Sequence, residues 1–317
     1  MARTSFIKPK IVISQCLTNS ICRWDGERLI WPFARLLKQY ARLIPVCPEM
    51  EIGLGCPREK IVIVDRDGTL SLHQPATGRS LTRPMTAFSQ RHAAGLSEVD
   101  GFFLKSKSPS CGIRDTKRLE RPDEQARTVG RGPGFYAAEV LGAFADLPIE
   151  DERRLDKHAV REHWLTRLFM LAAFRSLRKR PSPGRLRNFH NRNEQLLRAY
   201  SRTRSGKLRR IVDNLLTAPS EAALADYEME LKLALKRPAR PSALVAAMVP
   251  AFDHYSAHLE RTEKQRYRRM ARKCAEGAAP ANDVRKLIQV WAVRYDKNFT
   301  RQQSLYRPYP GPLAASE

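Results

Sequence analysis

With 317 residues, 42% of them hydrophobic and 8% aromatic, the chain can build one large core or two ordinary ones. A mean hydropathy of −0.48, with no apolar run near the ~18 residues of a membrane span, argues against a transmembrane protein. Lys and Arg outnumber Asp and Glu 57 to 33, a formal charge of +24, and a surplus of that size gathers polyanions such as nucleic acid.

The surplus is uneven. Residues 1–150 carry 22 basic and 16 acidic side chains, whereas residues 151–317 carry 35 and 17. Two domains are therefore expected, 1–150 and 151–317. The opening MARTSFIKPKIVISQCL has a short apolar run without a small-residue cleavage pattern, so no signal peptide is expected and the chain is read as cytoplasmic. Six cysteines in a reducing compartment point to metal binding or catalysis rather than disulfides.

In chain order, KIVISQC (10–16) reads as a strand ending in a thiol, WPFARLLKQYARL (31–43) as a helix, and IPVCPE (44–49) as a strand ending at Cys47. KIVIVD (60–65) is β-branched and runs into the turn Arg66-Asp67-Gly68. MTAFSQRHAAGL (85–96) reads as a helix, and the run Val99–Leu104 as a buried strand that breaks into KSKSPSCGIRD. Strands alternating with helices predict an α/β domain with a mostly parallel, Rossmann-like sheet. After Leu147-Pro148-Ile149 the β-branched runs vanish, and an all-α domain is predicted. Arg153–Lys179 would put Trp164, Leu168, Leu171 and Phe174 on one stripe. Helices over Leu186–Tyr200, Ser205–Leu216, Ser220–Leu235, Pro241–Cys274 (one or two) and Asn282–Asn298 follow, the last capped by Asn282. Pro181–Gly184 and Arg237–Pro241 read as linkers, and the tail from Tyr306 to Pro312 as an extended strap.

Cys16, Cys47 and Cys111 each follow a predicted strand. In an open parallel sheet the strand C-termini share one edge, where ligands collect, so three distant thiols would converge. Each could be a small buried hydrophobe. Structural zinc favours four ligands and close Cys-x-x-Cys pairs, and none is present. Three widely spaced thiolates suit an iron–sulfur cluster that leaves one iron open for a substrate. Cys22 and Cys56 are left open as additional site residues, and Cys274 is read as inert.

The runs ISQCL, CRWDG, PVCPEMEIGLGCPRE and LKSKSPSCG resemble the TudS-type desulfidase domain over roughly residues 8–150. The second half resembles the helical, YbgA-like domain fused to it in RudS-type proteins, through FHNR (189–192), HYSAHLERTEKQRY and RQQSLYRPYPGPL. The RudS-type family removes sulfur from 4-thiouridine in tRNA, while stand-alone relatives act on free thiouracil. The resemblance implies Cys16, Cys47 and Cys111 as the three cluster ligands, Glu49 as general acid/base, and Ser108 and then Ser106 as substrate contacts. Ser110 falls on the third serine of the same loop. Cys56 departs from the pattern, since relatives carry an apolar residue or threonine there.

The implied reaction is hydrolytic: a water deprotonated by Glu49 attacks C4 of the thiolated base, and hydrosulfide leaves without net electron transfer. Lys105 and Lys107 would form part of the wall facing the RNA base. In the helical half, Arg175, Arg178, Lys179 and Arg180, then Arg185, Arg187 and Arg192, form one basic run, and Arg202, Arg204, Lys207, Arg209 and Arg210 a second. Runs of one sign neutralise phosphates and give affinity with little base specificity, so tRNA is the expected partner. A desulfidase of free thiopyrimidines and a non-enzymatic RNA-binding or redox-sensing iron–sulfur protein are the competing readings.

Overall fold

The computed structural model describes residues 6–215 and 219–314. Leu216, where one helix was expected to end, and the first five residues of the N-terminal run lie outside that range. The chain divides into two compact units, Lys8–Lys157 and His158 onward, with Phe6 and Ile7 grouped with the second. The junction therefore follows Lys157 rather than residue 150, because the short strand and helix at 149–155 belong to the first unit.

The first unit contains β1 (Lys10–Ser14), α1 (Pro32–Tyr40), β2 (Arg42–Val46), α2 (Pro48–Glu51), β3 (Val62–Arg66), β4 (Thr69–Gln74), β5 (Arg79–Ser80) and α3 (Thr82–Gly95). It continues with β6 (Gly101–Leu104), β7 (Thr116–Leu119), β8 (Thr128–Gly132), α4 (Phe135–Ala143), β9 (Ile149–Asp151) and α5 (Glu152–Leu155). One sheet runs β2-β1-β6-β9 and is parallel throughout, in the register Val12↔Ile44 and Val12↔Phe102. Its two central strands are covered on both faces, which is why they read as unbroken apolar runs: Ile11, Val12, Ile13 and Phe102 to Leu104 are fully buried.

KIVIVD does not join this sheet. It enters a second, mixed one ordered β5-β4-β3-β7-β8, which the sequence reading did not separate. The cause is local. Asp67 and Gly68 both adopt positive φ, 51° and 85°, the geometry of a two-residue hairpin turn, so β3 folds straight back onto β4.

The second unit is helical: α6 (His158–Arg178), α7 (Pro183–Tyr200), α8 (Arg202–Asp213), α9 (Glu221–Ala234), α10 (Pro241–Ser256), α11 (Arg261–Ala275), α12 (Ala281–Arg294) and α13 (Lys297–Arg301). Trp164, Leu168, Leu171 and Phe174 of α6 are buried, but so are Leu165, Phe169 and Ala172, so α6 is a core helix wrapped on most sides rather than one with a single stripe. Pro183 and Gly184 open α7, with Ser182 accepting from the Arg185 N–H, instead of lying in a linker. Pro241–Cys274 is two helices, parted where Glu263 reaches back to the Glu260 N–H at 3.3 Å. Pro280 occupies the cap of α12 and Asn282 lies inside its first turn. The tail is not an extended strap. It forms 3₁₀ turns at Ser304–Tyr306 and Gly311–Ala314, a geometry that its prolines tolerate, and buries Tyr306, Tyr309 and Leu313.

Candidate active site

All strands of the parallel sheet end on one edge, and each end delivers a polar group to it. Cys16 lies in the turn after β1, Cys47 follows β2, the loop after β6 carries Cys111, and Glu152 follows β9. The connection from β1 runs outward to β2 and that from β6 runs the opposite way to β9, and a crevice forms where the order reverses between β1 and β6. A cavity of about 460 Å³ opens there, lined by Cys16, Cys22, Cys47, Cys111, Glu49, Arg58, Ser106 and Ser108, among others.

The three expected thiols are thus brought together, and Cys22 joins them. The contact of its thiol with Cys16, and then burial, push Cys22 up to about 12. Cys47 is pushed up by its contact with Cys22 and by burial, and Cys111 by burial. These surroundings favour the neutral thiol at Cys22, Cys47 and Cys111, and a metal bound there would have to displace their protons. Cys56 donates instead to the Arg23 carbonyl at 3.1 Å and does not line the cavity; Cys274 is buried in α11 of the other unit. Among the described residues, no three His, Cys, Asp or Glu close around a single ion. Soft donors spread along one cavity fit a polynuclear iron–sulfur group better than a lone zinc.

Glu49 stands beside them in the first turn of α2. Arg58 donates to its Oε2 through Nε at 3.0 Å and through Nη2, a bidentate pair. Ser110 Oγ and Ser108 Oγ donate to Oε1 at 2.9 and 3.4 Å. Arg58 is itself fixed, its Nη1 reaching the carbonyls of Cys22 and Gly55 at 3.0 and 2.8 Å. One arginine therefore links the carboxylate to the loop that carries Cys22.

The loop after β6 is built tightly. Ser108 Oγ accepts from the N–H groups of Ser110 and Cys111, and the Ser108 carbonyl accepts from Gly112 and Thr116. A Cβ on Gly112 would meet that carbonyl at 2.9 Å, which is why glycine follows the thiol. The carbonyls of Pro109 and Ser110 accept from N–H groups in the first turn of α4, seating the loop on that helix.

Ser106 turns elsewhere. Its hydroxyl and N–H both bond Glu152, at 2.6 and 2.8 Å, and Lys105 Nζ reaches the same carboxylate at 2.5 Å. Ser108 and Ser110 thus converge on Glu49, while Ser106 and Lys105 brace the loop. Lys107 is exposed with φ 58°, and Trp24 lies half-exposed on the lining with Lys60 4.6 Å from its ring centroid. Sequence reasoning did not single out Arg58 or Glu152. Arg58 stood in the quoted CPRE run, whereas nothing near Glu152 marked it as a partner of Ser106, 46 residues away.

The basic clusters of the helical unit are compensated in part. Arg178 pairs with Glu221 and Glu228, and Arg204 and Lys207 with Glu230. Arg209 pairs with Glu194 and Asp213, and Arg185 donates to the Arg180 carbonyl. Arg175 and Lys179 are also engaged. Arg187 and Arg192 are exposed.

Residues 11–152 match the family model described as 2-thiouracil desulfurase. The first unit is a 2-thiouracil desulfurase domain. Residues 195–310 match DUF1722, a family described as of unknown function, so the desulfurase domain is joined to a DUF1722 domain. Over 109 residues the chain is 28% identical to the uncharacterized protein YbbK of Bacillus subtilis (strain 168), spanning 32% of this chain and 72% of that one. Among solved structures, it is similar to the [4Fe-4S]-dependent thiouracil desulfidase TudS, with 22% identity and a TM-score of 0.37, over 47% of this chain and 93% of that one. Among the described residues no helix is long and apolar enough to cross a membrane.

Proposed function

We propose that the chain is a cytoplasmic desulfidase that hydrolyses the C4–S bond of 4-thiouridine in tRNA, holding a 4Fe–4S cluster through Cys16, Cys47 and Cys111. The observation that carries this reading is the convergence, in one cavity of a desulfurase domain, of those thiols with the carboxylate of Glu49. A purely structural cluster would need no carboxylate beside it. The similar TudS structure is described as [4Fe-4S]-dependent, which agrees with the soft donor set.

When bound, the cluster supplies an open iron, a soft Lewis acid for a thiocarbonyl sulfur. The remaining chemistry belongs to the side chains. Glu49 accepts the proton of the attacking water on an oxygen that Ser108 and Ser110 hold in place. Arg58 keeps the carboxylate oriented and its charge compensated. The Trp24 ring offers a stacking face for a pyrimidine, and Lys107 places a cation near the phosphate–ribose backbone. Atoms balance with water alone: C=S and H₂O give C=O, hydrosulfide and a proton, with no electron donor. The target base must leave its stack to enter such a cavity, at a cost of a few kcal/mol, which contacts from the basic helical unit would offset.

A second reading, desulfurisation of free thiopyrimidines, is favoured by the description of the matched family, which names 2-thiouracil. The discriminating experiment uses protein reconstituted anaerobically with iron and sulfide. Near-ultraviolet loss and hydrosulfide release are followed on tRNA containing 4-thiouridine and, separately, on thiouracil. Turnover of tRNA is expected. Turnover of thiouracil alone would replace the proposal by the second reading.

A further inference from the structure

We infer that the solvent face of α11 is the principal RNA-phosphate contact of the helical unit, in place of the α6–α8 runs that stand out in sequence. This rests on the tRNA reading above. In fifteen residues α11 carries seven cations, Arg261, Lys264, Arg266, Arg268, Arg269, Arg272 and Lys273, against the single acid Glu263, which pairs with Arg294. Among the described residues, no ion pair or side-chain hydrogen bond engages any of the seven.

The helical period sorts these cations. Tyr267, Ala271 and Cys274 face the bundle and are buried. On the opposite side, Arg261, Arg268 and Arg272 form one row at spacings of seven and four, and Arg266, Arg269 and Lys273 a second at three and four; all six are exposed. At 1.5 Å per residue the two rows run about 16 and 10 Å and together span about 18 Å, long enough to meet several successive phosphates. The α6–α8 runs are mixed: Arg178, Arg204 and Lys207 already face the acids of α9, whereas Arg187, Arg192, Arg202 and Arg210 are exposed without an ion pair among the described residues, so α11 is distinguished by carrying seven cations without an ion pair on one helix. A cation bound to a carboxylate must exchange that partner for a phosphate and gains little, whereas an unpaired one releases counterions from the RNA outright.

The same geometry disfavours an anionic membrane. An interfacial helix inserts its apolar face between lipids, and the apolar face of α11 is closed into the bundle core, with Tyr267 stacked on Phe252 at 4.3 Å.

The test measures tRNA binding by the intact protein across salt concentrations. The variant Arg261→Gln/Arg268→Gln/Arg272→Gln should lower the slope of log affinity against log salt by about two to three and weaken binding at least tenfold near 0.1 M salt. Turnover of free thiouracil, or iron content if thiouracil is not a substrate, should stay at the wild-type level. The comparison variant Arg178→Gln/Arg204→Gln/Lys207→Gln should lower the slope by less than one. Equal binding by wild type and the α11 variant overturns the inference and leaves the tRNA reading standing. Failure of the wild-type protein to bind tRNA overturns that reading itself. An α11 variant that loses anionic phosphatidylserine vesicles but keeps tRNA assigns the face to membranes and also overturns the inference. Cross-linking of wild-type protein to tRNA, mapped by mass spectrometry, needs no variant to fold: adducts within 261–273 are expected, and adducts confined to 175–210 contradict the inference.

Discussion

Each unit buries an arginine against a glutamate, and the two pairs are used differently. In the desulfurase domain Arg58 grips Glu49 at the wall of a cavity, where the other carboxylate oxygen faces two serine hydroxyls. In the helical unit Arg285 is 1% exposed and bonds Glu162 at 2.6 Å and the Leu305 carbonyl at 2.7 Å, tying α12 to α6 and to the tail. Glu49 and Arg58 both line that cavity, whereas Arg285 and Glu162 lie between helices of the bundle. A buried ion pair is therefore not a sign of function by itself. What matters is whether a cavity reaches it.

The sharpest way to break this comparison is Glu49→Gln. The variant keeps the size of the side chain but cannot take a proton, and its single oxygen can accept from Arg58 or from the two serines but not from both. The rate should fall by about 10²–10⁴ with iron content unchanged, and an unaltered rate would remove Glu49 from proton transfer. Arg285→Met should act on stability instead. It strands the Glu162 carboxylate in the bundle and should destabilise the helical unit by about 3–5 kcal/mol in denaturant unfolding. Arg285→Met/Glu162→Gln should recover much of that loss, since no uncompensated charge then remains. A single variant as stable as wild type would contradict the structural role.

Glu152→Gln is expected to have a smaller effect. Weakening its bonds to Lys105 and Ser106 loosens the loop that carries Cys111, by about 1–3 kcal/mol. Faster amide exchange across residues 105–111, with a roughly tenfold lower rate, is the expected signature. Wild-type exchange there would show that the loop is held by α4 alone.

A last effect concerns pH. Burial, and then the charge of Arg167, hold His163 at about 3, below its ordinary 6.5. Between those values the unfolded chain binds a proton that the native one refuses. The stability of the helical unit should thus be full above pH ~6.5 and decline as pH falls toward 3. Burial lowers His158 and His190 in the same direction. Melting temperatures recorded against pH should show this slope, and His163→Asn should flatten it.

Much of the site was legible because the parallel sheet announces itself. Its two central strands are apolar on both faces and are followed by Cys16 and Cys111, and the edge strand β2 is followed by Cys47, so the three thiols could be gathered before any coordinates. The second sheet was not legible beyond β3 and its Asp67-Gly68 turn. Thr116–Leu119 and Thr128–Gly132 expose much of their length and read as polar loop. The partners of charged groups were invisible for another reason. Glu152 lies 46 residues from Ser106, and Glu230 lies 26 from Arg204, so no local pattern could pair them. That is why Arg178, Arg204, Lys207 and Arg209 of the loudest basic runs proved to be paired with acids, while none of the α11 cations is paired among the described residues.

The central claim is that three thiols and one carboxylate form a single reaction site, with Cys22 beside it but not required as a ligand. It is tested most directly by anaerobic reconstitution of Cys16→Ala, Cys47→Ala, Cys111→Ala and Cys22→Ser, reading iron and sulfide content alongside desulfurisation. The account predicts that the first three lose both cluster and turnover while Cys22→Ser keeps both. A Cys22→Ser protein that loses its iron, or any of the first three that keeps a full cluster, would contradict it.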